Sequence, residues 1–376
     1  MKRLALSVWV VVLSLGAAFM AVEVYARLRH HHFLDFKAHE LTYRNADMVM
    51  HHGLIPNAVG ESVTDEWRVP YRINSWGLRD REYTVPKPVG TFRILVVGDS
   101  GTEGYGVRLE ETFVKRFEER LNHLGQTHTP PVNYEVINGG VAGYSPLLEY
   151  MFLSRKGLRL EPDLVLLQYN YSDLRDDVEL EYRTTFDAQG LPLRCHPLKR
   201  ARAHGQYPVE RFLSRHSRAF LYLEHKLNVF LYNRFYPYYK HPPEVELFVA
   251  FRGSAEEIAT LWKRNARYLG LIHDLLRERS IPLVLFTWPD AVEVDPSEAS
   301  EWRKAQAFAT GAVLNPPLVI SHLTKFAHER KIPFVNLSDD VKTSSRRPLY
   351  FRYDPHMNPQ GHEVLADALF RCLVDQ

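Results

Sequence analysis

Five short apolar runs, set apart by helical stretches, constrain this chain more than any other feature. Ile94-Leu95-Val96-Val97 is closed by Gly98, and Tyr134 to Ile137 is ended by Asn138-Gly139-Gly140. Leu164 to Gln168, Pro282 to Thr287 and Pro333 to Leu337 follow. Such runs, rich in Val, Ile and Leu and bounded by Gly, Pro and Asn, read as buried strands. Between them Thr112 to Leu124, Pro146 to Leu158 and Glu256 to Arg279 read as helices. Helix returns before Lys331, and His362 to Val374 closes the chain as a helix. Strands alternating with helices predict an α/β fold in which helices cover both faces of a parallel sheet. In such sheets ligands bind at the carboxyl ends of the strands, so function is sought in the residues just after each one.

Composition removes several alternatives. Apolar residues make up 45% and charged residues 24%, the mix of a globular chain rather than a disordered one. Lys plus Arg is 47 against 45 for Asp plus Glu, a net charge of +2 that offers no global field to nucleic acid. Two cysteines exclude a disulfide scaffold, a four-cysteine zinc module and a cysteine-ligated iron–sulfur cluster. Cys195 and Cys372 either pair in an oxidising compartment or stay free.

One segment is apolar enough to cross a bilayer. Leu4 to Val22 holds 19 residues without a charge, about 28 Å of helix. Lys2 and Arg3 precede it, and Glu23, Arg27 and Arg29 follow. Residues 1–26 therefore read as a signal-anchor, with cleavage after Val24-Tyr25-Ala26 as the alternative. Either way the folded part is exported, to the periplasm or beyond the cell.

Residues 27–90 read as a polar linker and N-terminal extension, with an edge strand or two between Trp67 and Leu78. His30-His31-His32 and His51-His52 are adjacent rather than spaced as ligands, and solvated histidines are expected there. The domain proper spans 91–376, interrupted by an insertion at about 173–250, too long for a plain connection. Within it, Leu191 to His241 carries ten Lys or Arg, two acidic residues and ten Phe or Tyr. From Ser217 to Phe235 its apolar residues, among them Phe220, Leu223, Leu227 and Phe230, fall at helical spacing. Two roles stay open for this stretch: a lid touching anionic lipid headgroups or an acidic polymer, or a helical cap that packs its aromatics on the core.

The chemistry follows the first core strand. Gly98-Asp99-Ser100 puts a serine where a nucleophile can meet substrate. Near the C-terminus, Asp354-Pro355-His356 places two groups on one side of an extended loop. Asp354 can hold the Nδ1 hydrogen of His356, leaving Nε2 to take the Ser100 proton, the logic of a Ser-His-Asp triad. Oxyanion donors are sought in Gly143 after the second strand, and in Asn170 or Ser172 after the third. Asp99 reads as a brace for the turn, Asn358 as a loop tie and His362 as a cap or packing group. Gly101, Gly104 and Gly106 lack the Lys-Ser or Lys-Thr of a phosphate-binding loop, and Thr102 breaks the Gly-x-Ser-x-Gly elbow. No cofactor or metal is called for.

Gly98-Asp99-Ser100, the Gly143 loop, Pro162-Asp163-Leu164-Val165 and Asp354-Pro355-His356-Met357-Asn358 resemble, in order and spacing, the sequence blocks of SGNH/GDSL hydrolases. The resemblance spans about residues 67–374. It implies a flavodoxin-like three-layer α/β/α sandwich, Ser100 as nucleophile, His356 as base oriented by Asp354, and an oxyanion hole from the Ser100 and Gly143 amides. It also implies acyl transfer or hydrolysis, often of acetyl groups on carbohydrates. Two positions depart from the family. Ser172 stands before Asp173 where an Asn is usual, with Asn170 as the substitute donor. Asp354 stands two residues before His356 rather than three, a spacing that resembles periplasmic polysaccharide O-acetyltransferases. The expected activity is a serine esterase acting on a carbohydrate or small ester. The alternatives are an O-acyltransferase using the same triad, and a non-catalytic glycan-binding or assembly protein.

Overall fold

All five apolar runs become strands of one parallel sheet. The structure, a computed structural model, describes residues 2–29, 39–64, 66–197, 209, 212–213, 216–235, 250, 253–294 and 316–374. After the N-terminal helix Lys2–Arg29 come two antiparallel hairpins, β1 (Arg44–Asp47) with β2 (His51–Leu54), and β3 (Val59–Val63) with β4 (Arg68–Arg72). The core strands are β5 (Thr91–Gly98), β6 (Asn133–Gly140) and β7 (Leu164–Gln168). A short antiparallel hairpin, β8 (Thr184–Phe186) with β9 (Pro192–Cys195), intervenes before β10 (Leu283–Thr287) and β11 (Phe334–Asn336).

Across the sheet the order is β6-β5-β7-β10-β11. Numbered by appearance within the sheet this is 2-1-3-4-5, the doubly wound flavodoxin-like order, whose switch point lies between the first and third strands. The gap between the ends of β5 and β7 is therefore the crevice of this fold. Leu95 pairs with Ile137 on one side and Val165 on the other, which fixes the register of the three central strands. Ile94 through Val97 are buried, as a strand covered on both faces must be.

The helices form two packed groups. Phe113–Gly125 lies against Pro359–Val374, while Ala255–Arg277 lies against Pro146–Arg155, Asp173–Glu181 and Pro316–Arg330. Phe113–Gly125 starts where its cap dictates: the Thr112 hydroxyl accepts from the Lys115 amide. The helix read as Pro146 to Leu158 ends at Arg155, because the chain tightens into a 3₁₀ turn over Gly157–Leu160. Gly140, the last residue of β6, admits the turn that carries the serine. A Cβ there would stand 2.3 Å from the Glu103 amide nitrogen and 2.6 Å from the Thr102 carbonyl carbon, both backbone.

The stretch expected as a polar linker is folded from residue 39 onward. Tyr43 and Tyr71 are fully buried and stacked with ring centroids 4.3 Å apart, and Trp67, Val69 and Ile73 complete a satellite core. Arg44 reaches across to Glu103 in a buried ion pair, its Nη2 donating to both carboxylate oxygens at 2.7–2.8 Å. His51 and His52 are half-buried rather than freely solvated. Their Nδ1 atoms stand 2.7 Å apart, and burial, with His52 and Arg183 nearby, pulls His51 down to about 3. His30-His31-His32 lie outside the described residues.

The N-terminal helix holds one candidate membrane span, Ser7–Leu28, with mean hydropathy 2.0. Beside it runs the helix Arg218–Phe235, on the residues where the spacing predicts one. Glu23 ties the two together. Its carboxylate accepts from the Ser217 hydroxyl (2.8 Å), the Ala219 amide (2.7 Å), the Arg218 amide (3.1 Å) and Arg27 (2.7 Å). Ala26 and Leu221 are buried between them, whereas Leu223 and Leu227 face outward. Much of Leu191 to His241 lies outside the described residues. Cys195 and Cys372 are both free thiols here, and burial raises the pKa of each.

Candidate active site

β5 ends at Gly98 on the crevice, and the chain turns at once into a short helix, Ser100–Glu103. Asp99 holds that turn with both oxygens. One accepts from the Gly101 amide at 2.8 Å, the other from the Asn170 side chain at 2.8 Å. Burial raises the Asp99 pKa, and the two bonds mark a brace between the ends of β5 and β7 rather than a reactive group. Gln168, the last residue of β7, adds a second tie by accepting from the Asp99 amide and the Thr102 hydroxyl.

The Ser100 hydroxyl is 2.7 Å from His356 Nε2. On the other side of the ring, His356 Nδ1 is 2.5 Å from Asp354 Oδ1, which also accepts the His356 amide at 2.9 Å. The two-residue spacing thus brings carboxylate and imidazole together as an extended loop requires, and Ser100 and His356 lie 256 positions apart in the chain. The Tyr105 ring lies beside the imidazole, with centroids 5.1 Å apart. Serine hydroxyl, imidazole and carboxylate are in hydrogen-bond contact, an arrangement able to make the serine a nucleophile.

Other groups set the loop. Asn358 donates to the Pro348 and Tyr350 carbonyls and accepts from the Gln360 and Gly361 amides, so it fastens the loop to the start of the last helix. His362 is buried, accepts the Phe113 amide at 3.1 Å and stacks on the Phe113 ring. Burial, with Arg79 and His356 adding repulsion, lowers its pKa to about 3, so it is a neutral packing group. A residue absent from the sequence reading does as much: the Glu66 carboxylate, between β3 and β4, accepts the amides of Arg352 (2.6 Å), Tyr353 (2.9 Å) and Asp354 (2.9 Å). Nothing in local sequence marks it, since its partners lie 286 to 288 positions away.

Of the oxyanion candidates, Asn170 and Ser172 line the same cavity as Ser100 and His356. Asn170 gives its side-chain amide to Asp99 and takes the Ser172 backbone amide on its oxygen at 3.1 Å, so its orientation is fixed. An amide nitrogen carries two hydrogens, and the bond to Asp99 uses one of them. Ser172 accepts the Asp176 backbone amide on its carbonyl at 3.0 Å, and its short hydroxyl has less reach than the Asn170 amide. Gly143, at φ +80°, shapes the loop after β6 but is not in the cavity wall. Its neighbour Ala142 is clamped from three sides: the amide by Glu103 (2.7 Å), the carbonyl by His52 (2.7 Å) and Arg44 (3.3 Å). The cavity is small, about 170 Å³, and Trp288, Tyr105 and Tyr350 stand in its wall. Among the described residues no cluster of three or more His, Cys, Asp or Glu could hold a metal ion.

No protein-family model matches the chain, and no curated protein matches it. Several solved structures are similar at low identity. An acetyl xylan esterase, AlAXEase, is 17% identical with TM-score 0.40, over 75% of this chain and 100% of that one. A catalytic mutant of the acetylxylan esterase Axe2 from Geobacillus stearothermophilus is 15% identical with TM-score 0.36, over 74% and 93%. A protein of the G-D-S-L family from Desulfitobacterium hafniense DCB-2 is 11% identical with TM-score 0.36, over 75% and 99%. The fold assignment itself rests on strand order: the chain is a flavodoxin-like α/β/α sandwich with a serine, a histidine and an aspartate joined at its switch point.

Proposed function

We propose that this chain is an exported serine esterase of the SGNH/GDSL type, held to a membrane by its N-terminal helix, that removes a short acyl group from a carbohydrate or small ester. One observation carries the reading: His356 bridges Ser100 and Asp354 at 2.7 and 2.5 Å, on the crevice of the sheet. The Ser100 oxygen attacks the ester carbonyl as His356 Nε2 takes its proton. The Asp354 carboxylate holds the Nδ1 hydrogen and stabilises the imidazolium that forms. The oxyanion then draws on the Ser100 amide and on the second hydrogen of the Asn170 side-chain amide, favoured over Ser172; the expected Gly143 donor lies outside the cavity wall and is left out of the hole. His356 returns the proton to the departing alkoxide, leaving an acyl-Ser100 and a free alcohol. Water, deprotonated by His356, attacks the acyl carbonyl; Ser100 takes back its proton and a carboxylic acid leaves. A glycan hydroxyl in place of that water would make the same intermediate a transferase.

The size of the cavity supports a short acyl chain. At about 170 Å³ it falls below the roughly 300–1,000 Å³ that encloses a drug-sized ligand. It takes the acyl end and leaves the alcohol part outside. The test is a fluorophosphonate probe and p-nitrophenyl esters on the full chain in detergent, beside Ser100→Ala and His356→Ala. Labelling at Ser100, turnover lost in both variants and acetate preferred to octanoate by about tenfold, near 1.4 kcal/mol of transition-state binding, are expected. A folded protein that takes no label overturns the reading. Asn170→Ala should cost about 10²–10³ in kcat and Ser172→Ala much less, if Asn170 is the donor.

A further inference from the structure

A second cavity, about 360 Å³, lies on the far side of the Gly143 loop, between that loop and the β1–β2 hairpin. Val141 and Tyr144 line it from the loop, and Phe152 from the helix Pro146–Arg155. Its volume is at the lower end of small-molecule sites. Its charge is one-sided. Arg155, Lys156 and Arg159, from the end of that helix and the 3₁₀ turn after it, converge on it, against a single acid in the wall, Asp47.

Cations at a helix C-terminus answer its dipole, which accounts for one of the three. It does not account for the rest. Among the described residues none of the three makes an ion pair. The Arg155 guanidinium donates to the Leu193 carbonyl, and Arg159 lies over the Trp76 ring. Among the described residues the Lys156 ammonium has no hydrogen-bond acceptor, and burial and the neighbouring Arg159 both lower its pKa, with Asp47 opposing. Asp47 is occupied elsewhere: one of its oxygens accepts the Val49 and Met50 amides at 2.6 and 2.8 Å. Lys156 is half-buried and Arg155 and Arg159 stand exposed at the rim, so the mouth of the hollow is positive and favours a ligand of opposite sign.

We propose that this cavity binds an anionic sugar unit, one bearing a carboxylate or a phosphate, with the anion between Lys156 and Arg159 and the sugar body against Phe152 and the Tyr144 side. The anion follows from the charges alone. The sugar body rests on the glycan-ester reading above, and places an acidic unit of the same glycan across the Gly143 loop from the scissile ester.

The experiment is calorimetric titration of full-length Ser100→Ala in detergent with D-glucuronate, D-glucose 6-phosphate and D-glucose. Binding in this variant does not depend on whether Ser100 is a working nucleophile, so the two readings fail separately. At least one anionic sugar should bind about tenfold more tightly than D-glucose, and adding Lys156→Ala or Arg159→Gln should weaken it about tenfold. A preference for glucuronate assigns a carboxylate ligand, and one for glucose 6-phosphate assigns a phosphate. Both substituted residues lie at the cavity surface, and an unchanged melting transition confirms that each variant folds. If neither anion outbinds D-glucose, or the substitutions leave binding unchanged, the proposal is wrong.

Discussion

Glu66→Gln tests how the acid–base loop is held. The native carboxylate takes three amides, that of Arg352 on Oε1 and those of Tyr353 and Asp354 on Oε2. Glutamine keeps one carbonyl oxygen and turns an NH₂ towards the other side, so at least one bond is lost and two donors face each other. In its better orientation the carbonyl keeps the Tyr353 and Asp354 amides, and the NH₂ faces the Arg352 amide. At about 1 kcal/mol for the lost bond and about as much for the donor left unpaired against another donor, the ordered loop is destabilised by about 2 kcal/mol. That is about a thirtyfold shift against the conformation in which Asp354 meets His356. Loop order is needed for proton transfer rather than for ester contact, so kcat should fall about ten- to thirtyfold while KM moves little. The assay is p-nitrophenyl acetate hydrolysis, with the fluorophosphonate labelling rate expected to fall in parallel. Global melting should shift by only a few degrees. A variant with kcat within twofold of the parent would refute the reasoning, and so would a fall matched by wholesale loss of fold.

Three further outcomes are expected. His362 stays neutral in the fold down to about 3 against 6.5 in the open chain, so between those pH values the unfolded state binds more protons and stability is lost as pH falls; about 5 kcal/mol is at stake, and His362→Asn should flatten that slope in urea midpoints measured from pH 7 to pH 4. Arg44→Met leaves the fully buried Glu103 carboxylate without its cation, and should cost about 3–5 kcal/mol in chemical denaturation. Gly140→Ala drives a Cβ into the backbone of the Ser100–Glu103 helix, and should abolish Ser100 labelling even where circular dichroism shows the sheet retained.

The core of the fold was open to sequence reading because its signals are local. Runs such as Ile94–Val97 are apolar on both faces, and the helices between them carry their own caps, Thr112 among them. The triad was legible for a similar reason: Asp354 and His356 sit two positions apart, and Ser100 follows directly on a strand. The first N-terminal hairpin was not legible, although the alternation after Trp67 did mark Arg68–Arg72 of the second. Arg44–Asp47 and His51–Leu54 are four residues each, without alternation, and they are held by Tyr43–Tyr71 stacking and by an ion pair to Glu103, 59 positions away. His51 and His52 looked like solvated neighbours because sequence cannot show that the Gly143 loop closes over them. Glu66 and the cationic cavity share that limit. Each is made by chain segments meeting in space, and no spacing rule joins Glu66 to Asp354, or Asp47 to Lys156.

The Glu23 clamp bears on how the protein matures. Glu23 lies just ahead of Val24-Tyr25-Ala26, the stretch where a leader peptidase would cut. Trimming residues 1–26 would carry off the carboxylate that receives Ser217, Arg218 and Ala219, together with the Ala26 methyl that packs on Leu221. Losing a helix cap of this kind costs about 0.5–2 kcal/mol, enough to let the start of the helix Arg218–Phe235 fray. Cleavage there would thus strip the start of the inserted helix of the carboxylate and the methyl that hold it to the N-terminal helix, so a clipped form would differ at that surface as well as in address.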